Sequence, residues 1–153
     1  MCGDHTRQSC GGALAVLSRP MRSTRFMPPI LMPPTMNGRL IFHDCGKGSS
    51  TATHVTFTPD ENTSLTNGDS WVVAIHETGD LTKSAIISSF LHRFSMTNSH
   101  PTSEDDRQAR SIEVPLTYPV KIEVGNDGII GRRVSLWSQH ATEPMAEGII
   151  GYN

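Results

Sequence analysis

From Gly38 onward the sequence consists of short apolar runs, and none of them repeats with the period of about 3.6 residues that marks a helix. Turn-forming clusters such as PDEN, TNGD and GNDG separate the runs, which are rich in β-branched residues. Short strands divided by tight turns are typical of antiparallel sandwiches and barrels. The sequence therefore predicts an all-β fold, with strands at RLIF, HVTFT, WVVAIH, SIEV, VKIEV, RVSLW and GIIGY.

The stretch from Ser84 to Phe94 is ambiguous. Its apolar residues, AIISSFLHRF, fit a short helix about as well as an extended segment. We expect a loop here.

The first 35 residues differ from the rest of the chain. Four prolines between positions 28 and 34 remove backbone donors and favour polyproline II, which indicates a connector or an arm. The segment ALAVL before them could form an isolated first strand joined through that connector. We therefore divide the chain into an N-terminal extension, residues 1–35, and a β-sandwich domain, residues 36–153.

Charge and cysteine content exclude several classes of function. A net charge of -2 gives no field that would favour nucleic acid or an anionic membrane as partner. The three cysteines, Cys2, Cys10 and Cys45, have neither metal-site spacing nor the even number of a disulfide framework. The apolar segment Ala13–Leu17 is too short for a signal peptide or a membrane span. We expect a cytoplasmic protein with three free thiols.

The run VVAIHETGD places a histidine where a strand ends. Val72, Val73 and Ile75 suit a pleated, half-buried surface, and His76 follows them directly. Gly79 is predicted to take a backbone conformation that a Cβ would forbid. His76 is therefore the first candidate site residue.

The same run resembles the metal-binding strand H-[VI]-H-E-[FY]-G-D of the copper/zinc superoxide dismutases, with Ala74 at the first histidine. Further segments are similar to landmarks of that family in the same order, from Met36 to Asn153: NGRLIF, LTNG, GDLT, SHPTSEDDRQARS, PLT, IIGRRV and GIIG. The resemblance implies a Greek-key β-sandwich or barrel of the copper/zinc superoxide dismutase type.

Carried across position by position, the resemblance implies that most metal ligands are missing. The three histidines that bind only copper in the family fall on Ala74, His76 and Trp137. The bridging histidine falls on His92, and the first zinc histidine falls on His100. The two remaining zinc ligands fall on Gln108 and Ser111.

Other features of the family are missing too. The catalytic arginine falls on Pro144, and the electrostatic loop is reduced to Ser138–Glu143. The family's disulfide falls on Ala85 and Glu147, so the loop after GD must be held by packing or remain mobile. Copper redox chemistry needs several imidazoles around one ion, and zinc needs about four ligands.

We therefore expect a non-enzymatic member without a cofactor, and degenerate members of this kind in large DNA viruses are regarded as virion-associated or host-interfering. One alternative is a residual zinc or copper site, or weak dismutase activity, using His76, His92 and His100, with His140 as a substitute ligand. Another is an unrelated structural β-sandwich. The histidines could also be ordinary polar residues, with Trp137 filling the emptied site.

The resemblance also suggests partners. The first and last strands of the family form an apolar patch for dimerisation and for docking the copper chaperone. Ile149, Ile150 and Tyr152 are the corresponding candidates for self-association or for binding a host chaperone or host dismutase. The alternative is that GIIGY is simply a core strand. The expected location is the host cytoplasm, or the virion if the protein is viral.

Overall fold

The computed structural model describes residues 11–21, 35–44, 46, 49–63, 65, 68–98 and 111–153. These residues form nine strands and a single three-residue 3-10 turn, which confirms the all-β prediction. The strands are β1 Ala13–Leu17, β2 Gly38–His43, β3 Thr51–Pro59, β4 Ser70–His76, β5 Phe90–Thr97, β6 Ile112–Val124, β7 Gly128–Ile130, β8 Arg133–Ser138 and β9 Ala146–Tyr152; the 3-10 turn is Ala85–Ile87.

The strands belong to one mixed sheet in the order β5-β4-β8-β9-β1-β2-β3-β6-β7. Neighbouring strands are antiparallel except β6 and β7, which are parallel. Phe42 on β2 and Phe94 on β5 meet edge to face with ring centroids 6.4 Å apart, although four strands separate β2 from β5 in the sheet. The sheet therefore curls over a shared core in the manner of a sandwich.

The segment ALAVL forms β1, which lies between β9 and β2. Alternation along the strand buries Ala13, Ala15 and Leu17 in the core, while Val16 faces outward. Part of the N-terminal 35 residues is therefore an integral strand of the sheet. The proline-rich residues 28–34 lie outside the described residues.

The expectation of a loop between Ser84 and Phe94 is wrong for the second half of that segment. The Ser84 side chain caps the 3-10 turn by accepting from the Ile86 backbone N–H, and β5 begins at Phe90. β5 pairs with β4, but Ile75 lies opposite His92 while His76 lies opposite Phe90. This irregularity breaks the period-2 alternation, so the edge strand was not recognisable from its pattern.

Two backbone features shape the end of β4. Gly79 has no positive φ, contrary to the expectation; instead, a Cβ at Gly79 would collide with the backbone carbonyl oxygen of Gly131. The connection between β8 and β9 comprises only residues 139–145. No helix in the described part of the chain has the length and apolarity needed to cross a membrane.

Candidate functional site

The outer face of β4 brings together the positions on which, by the resemblance, the copper ligands of the dismutase family fall. Val73 and Ile75 face the core, so Ala74 and His76 project from the opposite face. On the neighbouring strand β8, Ser135 lies opposite Ala74, and Trp137 shares its face. Ala74, His76 and Trp137 therefore lie on one surface.

A hydrogen-bonded chain of three side chains lies on this surface. His76 Nε2 and Ser135 Oγ are 2.7 Å apart, and both residues are fully buried. The indole Nε1–H of Trp137 donates to the same Ser135 Oγ at 2.7 Å. Since the serine oxygen accepts from the indole, its own proton is available for His76 Nε2. The Phe90 ring packs against His76, with centroids 5.0 Å apart.

The electrostatic surroundings keep the His76 ring neutral. Burial lowers the pKa of His76 below its ordinary value of 6.5, and the charge of Arg133 lowers it further. The Ser88 backbone acts in the opposite direction to a lesser degree. Nδ1 is buried without a well-formed hydrogen bond to the described residues. A neutral imidazole can accept a hydrogen bond from the Ser135 hydroxyl at Nε2.

The second histidine, His92, lies on the other face of the sheet. It is the cross-strand neighbour of Ile75, whose side chain faces the core. Burial lowers the pKa of His92, as does the charge of Arg132, and its Nε2 is buried without a partner in the described residues. The side chains of His76 and His92 therefore project from opposite faces of the sheet.

The third histidine, His100, lies outside the described residues, as do Gln108 and the three cysteines. The backbone N–H of Asn98, two residues before His100, donates to the backbone carbonyl of Asp69. Asp69 directly precedes β4, at the other end of that strand from His76. The described residues contain no group of three His, Cys, Asp or Glu side chains that could hold a metal ion. His76 Nε2 is engaged by Ser135, whereas His76 Nδ1 and His92 Nε2 have no partner among the described residues.

The three candidate interface residues differ in accessibility. Ile150 is fully buried in the core, so its side chain is not available to a partner. Ile149 is 39% exposed and Tyr152 is 61% exposed. Val16, which neighbours Ile149 across the β1–β9 ladder, is 62% exposed and was missed as a candidate.

A buried ion pair, also missed, holds the loop that follows β4. Arg133 Nε donates to Glu147 Oε2 at 2.9 Å, and both side chains are almost completely buried. Arg133 Nη1 donates to the backbone carbonyl of Lys83 at 2.7 Å and to that of Asp80 at 3.4 Å. We call these contacts the Arg133 clamp. The signal in the sequence was a charged residue in each of two otherwise apolar strands: Arg133 in RVSLW and Glu147 in AEGII.

Comparison of the chain with models of known protein families and with curated proteins finds no match.

Proposed function

We propose that this chain is a non-enzymatic relative of the copper/zinc superoxide dismutases, with a Greek-key β-sandwich that acts by binding. The strand order supports this kinship in one respect: long connections bring non-consecutive strands together, with β6 beside β3, β8 beside β4 and β9 beside β1, as Greek-key sandwiches require. The placement of Ala74, His76 and Trp137 on one surface supports it as well.

The observation that carries the non-enzymatic assignment is the shared hydroxyl of Ser135. Among Ala74, His76 and Trp137, His76 alone has nitrogens suited to bind a metal; its Nε2 is hydrogen-bonded to Ser135, so this surface offers only Nδ1 of one residue. Copper that cycles between two oxidation states needs several such ligands held in place. Pro144 has no charge with which to guide an anion.

The first prediction is that the protein, loaded with copper and zinc, shows no dismutase activity above that of free copper. The measurement is superoxide consumption, with metal content determined on protein purified without a histidine tag. The matched variant is His76→Ala. Activity that exceeds free copper and disappears in His76→Ala would contradict the proposal.

The same measurement separates the remaining hypotheses. Stoichiometric zinc or copper that is lost on substitution of His76, His92 or His100 would favour a residual metal site. An Ala74→His/Trp137→His variant that catalyses rapidly would show that the missing loop matters less than the ligands. If neither result is found and no partner binds, a purely structural β-sandwich remains.

A host copper chaperone, a host dismutase or a second copy of the chain is the proposed partner, and the location would be the host cytoplasm or the virion. The exposed side chains of Val16 on β1 and Ile149 on β9 support this part of the proposal. Interface affinity rests on a few apolar anchors, which do not require a metal.

The second prediction is that Ile149→Asp weakens binding to the chaperone, to the dismutase or to itself at least about tenfold, because a charge replaces an apolar anchor. Calorimetry and sedimentation would measure this. Ser95→Asp, an exposed position on β5, is the matched control and should leave binding unchanged. Equal binding by both variants would place the contact elsewhere.

A further inference from the structure

An open pocket lies over Ala74 on the outer face of β5, β4 and β8. Arg93 on β5 lies directly across the ladder from Ala74, and Trp137 lies one step further along β8. The side chain of Ala74 ends at Cβ, whereas those neighbours are long. The difference leaves a pocket of about 260 Å³ whose wall also includes Phe90 and Ile86.

The wall of this pocket is largely apolar and partly exposed. Phe90 is 44% exposed and Ile86 is 55% exposed, and the half-buried Trp137 adds an indole ring. Apolar surface in a concave site gains free energy when a ligand displaces the water that covers it. A volume of about 150 Å³ is already sufficient for benzene. The pocket is therefore large enough for one substituted ring.

The pocket has a single charge, and it is positive. Arg93 is the charged residue in its lining, and its guanidinium lies 5.9 Å from the Phe90 ring centroid. No carboxylate of the described residues forms a salt bridge with Arg93. A planar guanidinium fits the two oxygens of a carboxylate. Gln139, at the rim, donates to Ser70 and is already occupied.

We propose that this pocket binds a small aromatic carboxylate. The ring lies over Ala74 between Phe90 and Trp137, and the carboxylate faces the guanidinium of Arg93. The inference rests on the shape and charge of the pocket and holds whether or not the chain is related to the dismutases.

The test is titration of the full chain with phenylacetate and benzoate, observed by ¹⁵N NMR. The expected result is a saturable shift of the Trp137 indole N–H and the Ala74 amide, while the indole N–H of Trp71, in the core, does not move. Benzyl alcohol and benzylamine, which keep the ring but not the negative charge, should bind more weakly. No saturable shift, or equal binding of benzylamine, would overturn the proposal.

Two variants locate the ligand. Ala74→Leu narrows the pocket at the place proposed for the ring and should weaken binding. Arg93 is exposed, so Arg93→Gln should keep the fold even if Ala74→Leu does not. Arg93→Gln should weaken the affinity for phenylacetate by about fivefold and leave the affinity for benzyl alcohol unchanged. Arg39→Gln, exposed on β2, is the matched control. Equal losses in Arg93→Gln and Arg39→Gln would indicate non-specific attraction and overturn the proposal.

Discussion

The hydroxyl of Ser135 is shared by two buried nitrogens. It lies 2.7 Å from both His76 Nε2 and Trp137 Nε1, so one oxygen joins β4 to β8 through side chains as well as through the backbone ladder. Buried polar atoms that lose their partner cost more than an ordinary hydrogen bond contributes. The residue that matters most at this surface is therefore one that the resemblance did not single out.

The third prediction is that Ser135→Ala lowers the free energy of unfolding by about 1–3 kcal/mol, because an indole N–H and an imidazole nitrogen both lose their partner. Urea unfolding would measure the change. Ser138→Ala, on the same strand but outside this hydrogen-bonded chain, should be nearly neutral. A loss in Ser135→Ala no larger than that in Ser138→Ala would contradict the prediction.

The fourth prediction concerns pH. The pKa of His76 is lower in the fold than its ordinary value of 6.5, and that of His92 is lowered as well, so the unfolded chain binds more protons just below pH 6.5. Stability is therefore full above pH 6.5 and falls as the pH drops toward the lowered values, by at most about 1.4 kcal/mol per pH unit for each histidine. In His76→Gln the slope of unfolding free energy against pH should be shallower than in the wild type. Equal slopes would exclude His76 as a source.

At the scale of secondary-structure elements, the loop after β4 is held by side-chain contacts, whereas the sequence left open whether it is held by packing or remains mobile. The resemblance places the family's disulfide at Ala85 and Glu147, neither of which is a cysteine. Glu147 is bound by Arg133, which also contacts the carbonyls of Asp80 and Lys83. The Arg133 clamp therefore joins the loop to β8 and β9.

The fifth prediction is that Arg133→Met destabilises the protein by about 3–5 kcal/mol, because the Glu147 carboxylate is left buried without its partner. Hydrogen exchange should also quicken in residues 80–88. The double variant Arg133→Met/Glu147→Leu removes both charges and should recover most of the lost stability, though not the loop protection. Equal stability of the single and double variants would mean that the pair itself contributes little.

The elements were predictable where their pattern was local. The runs around Leu40, Phe57 and Val73 are short and apolar and form β2, β3 and β4. β5 was missed because its pairing with β4 is irregular at His76, and this depends on the partner strand. In GIIGY, both isoleucines are apolar, so the sequence could not decide that Ile149 faces outward and Ile150 inward.

The candidate site was predictable in part for the same reason. His76 was placed at the end of a strand from its own neighbours in the sequence, and it lies there. The contacts with Ser135 and Trp137 depend on the pairing of β4 with β8, and the pocket over Ala74 depends on β5 as well. Such long-range pairings are not contained in local periodicity.

On the scale of the whole molecule, β1 connects the two halves of the sheet. Strands β5, β4, β8 and β9 lie on one side of it, and β2, β3, β6 and β7 lie on the other. Ala15 pairs with Ile150 on β9 and with Leu40 on β2, and all three are fully buried. This short strand therefore has more influence on the fold than its length suggests.

Two substitutions on β1 test the importance of this strand. Ala15→Asp places a carboxylate between two buried residues and should prevent cooperative folding, whereas Val16→Asp, one residue later and facing outward, should leave the protein folded. Circular dichroism during thermal unfolding distinguishes the two. A cooperative transition in Ala15→Asp similar to that of Val16→Asp would show that the halves hold together without β1.

The position of β1 also has a consequence for the order of events during folding. Its two partners lie at very different distances along the chain: β2 begins at Gly38, whereas β9 begins at Ala146 and is synthesised much later. Until then, one edge of β1 has no partner, and joining such distant segments carries a large loop-closure entropy. We therefore expect slow folding limited by the meeting of β1 and β9, with the unpaired edges exposed to aggregation in the meantime.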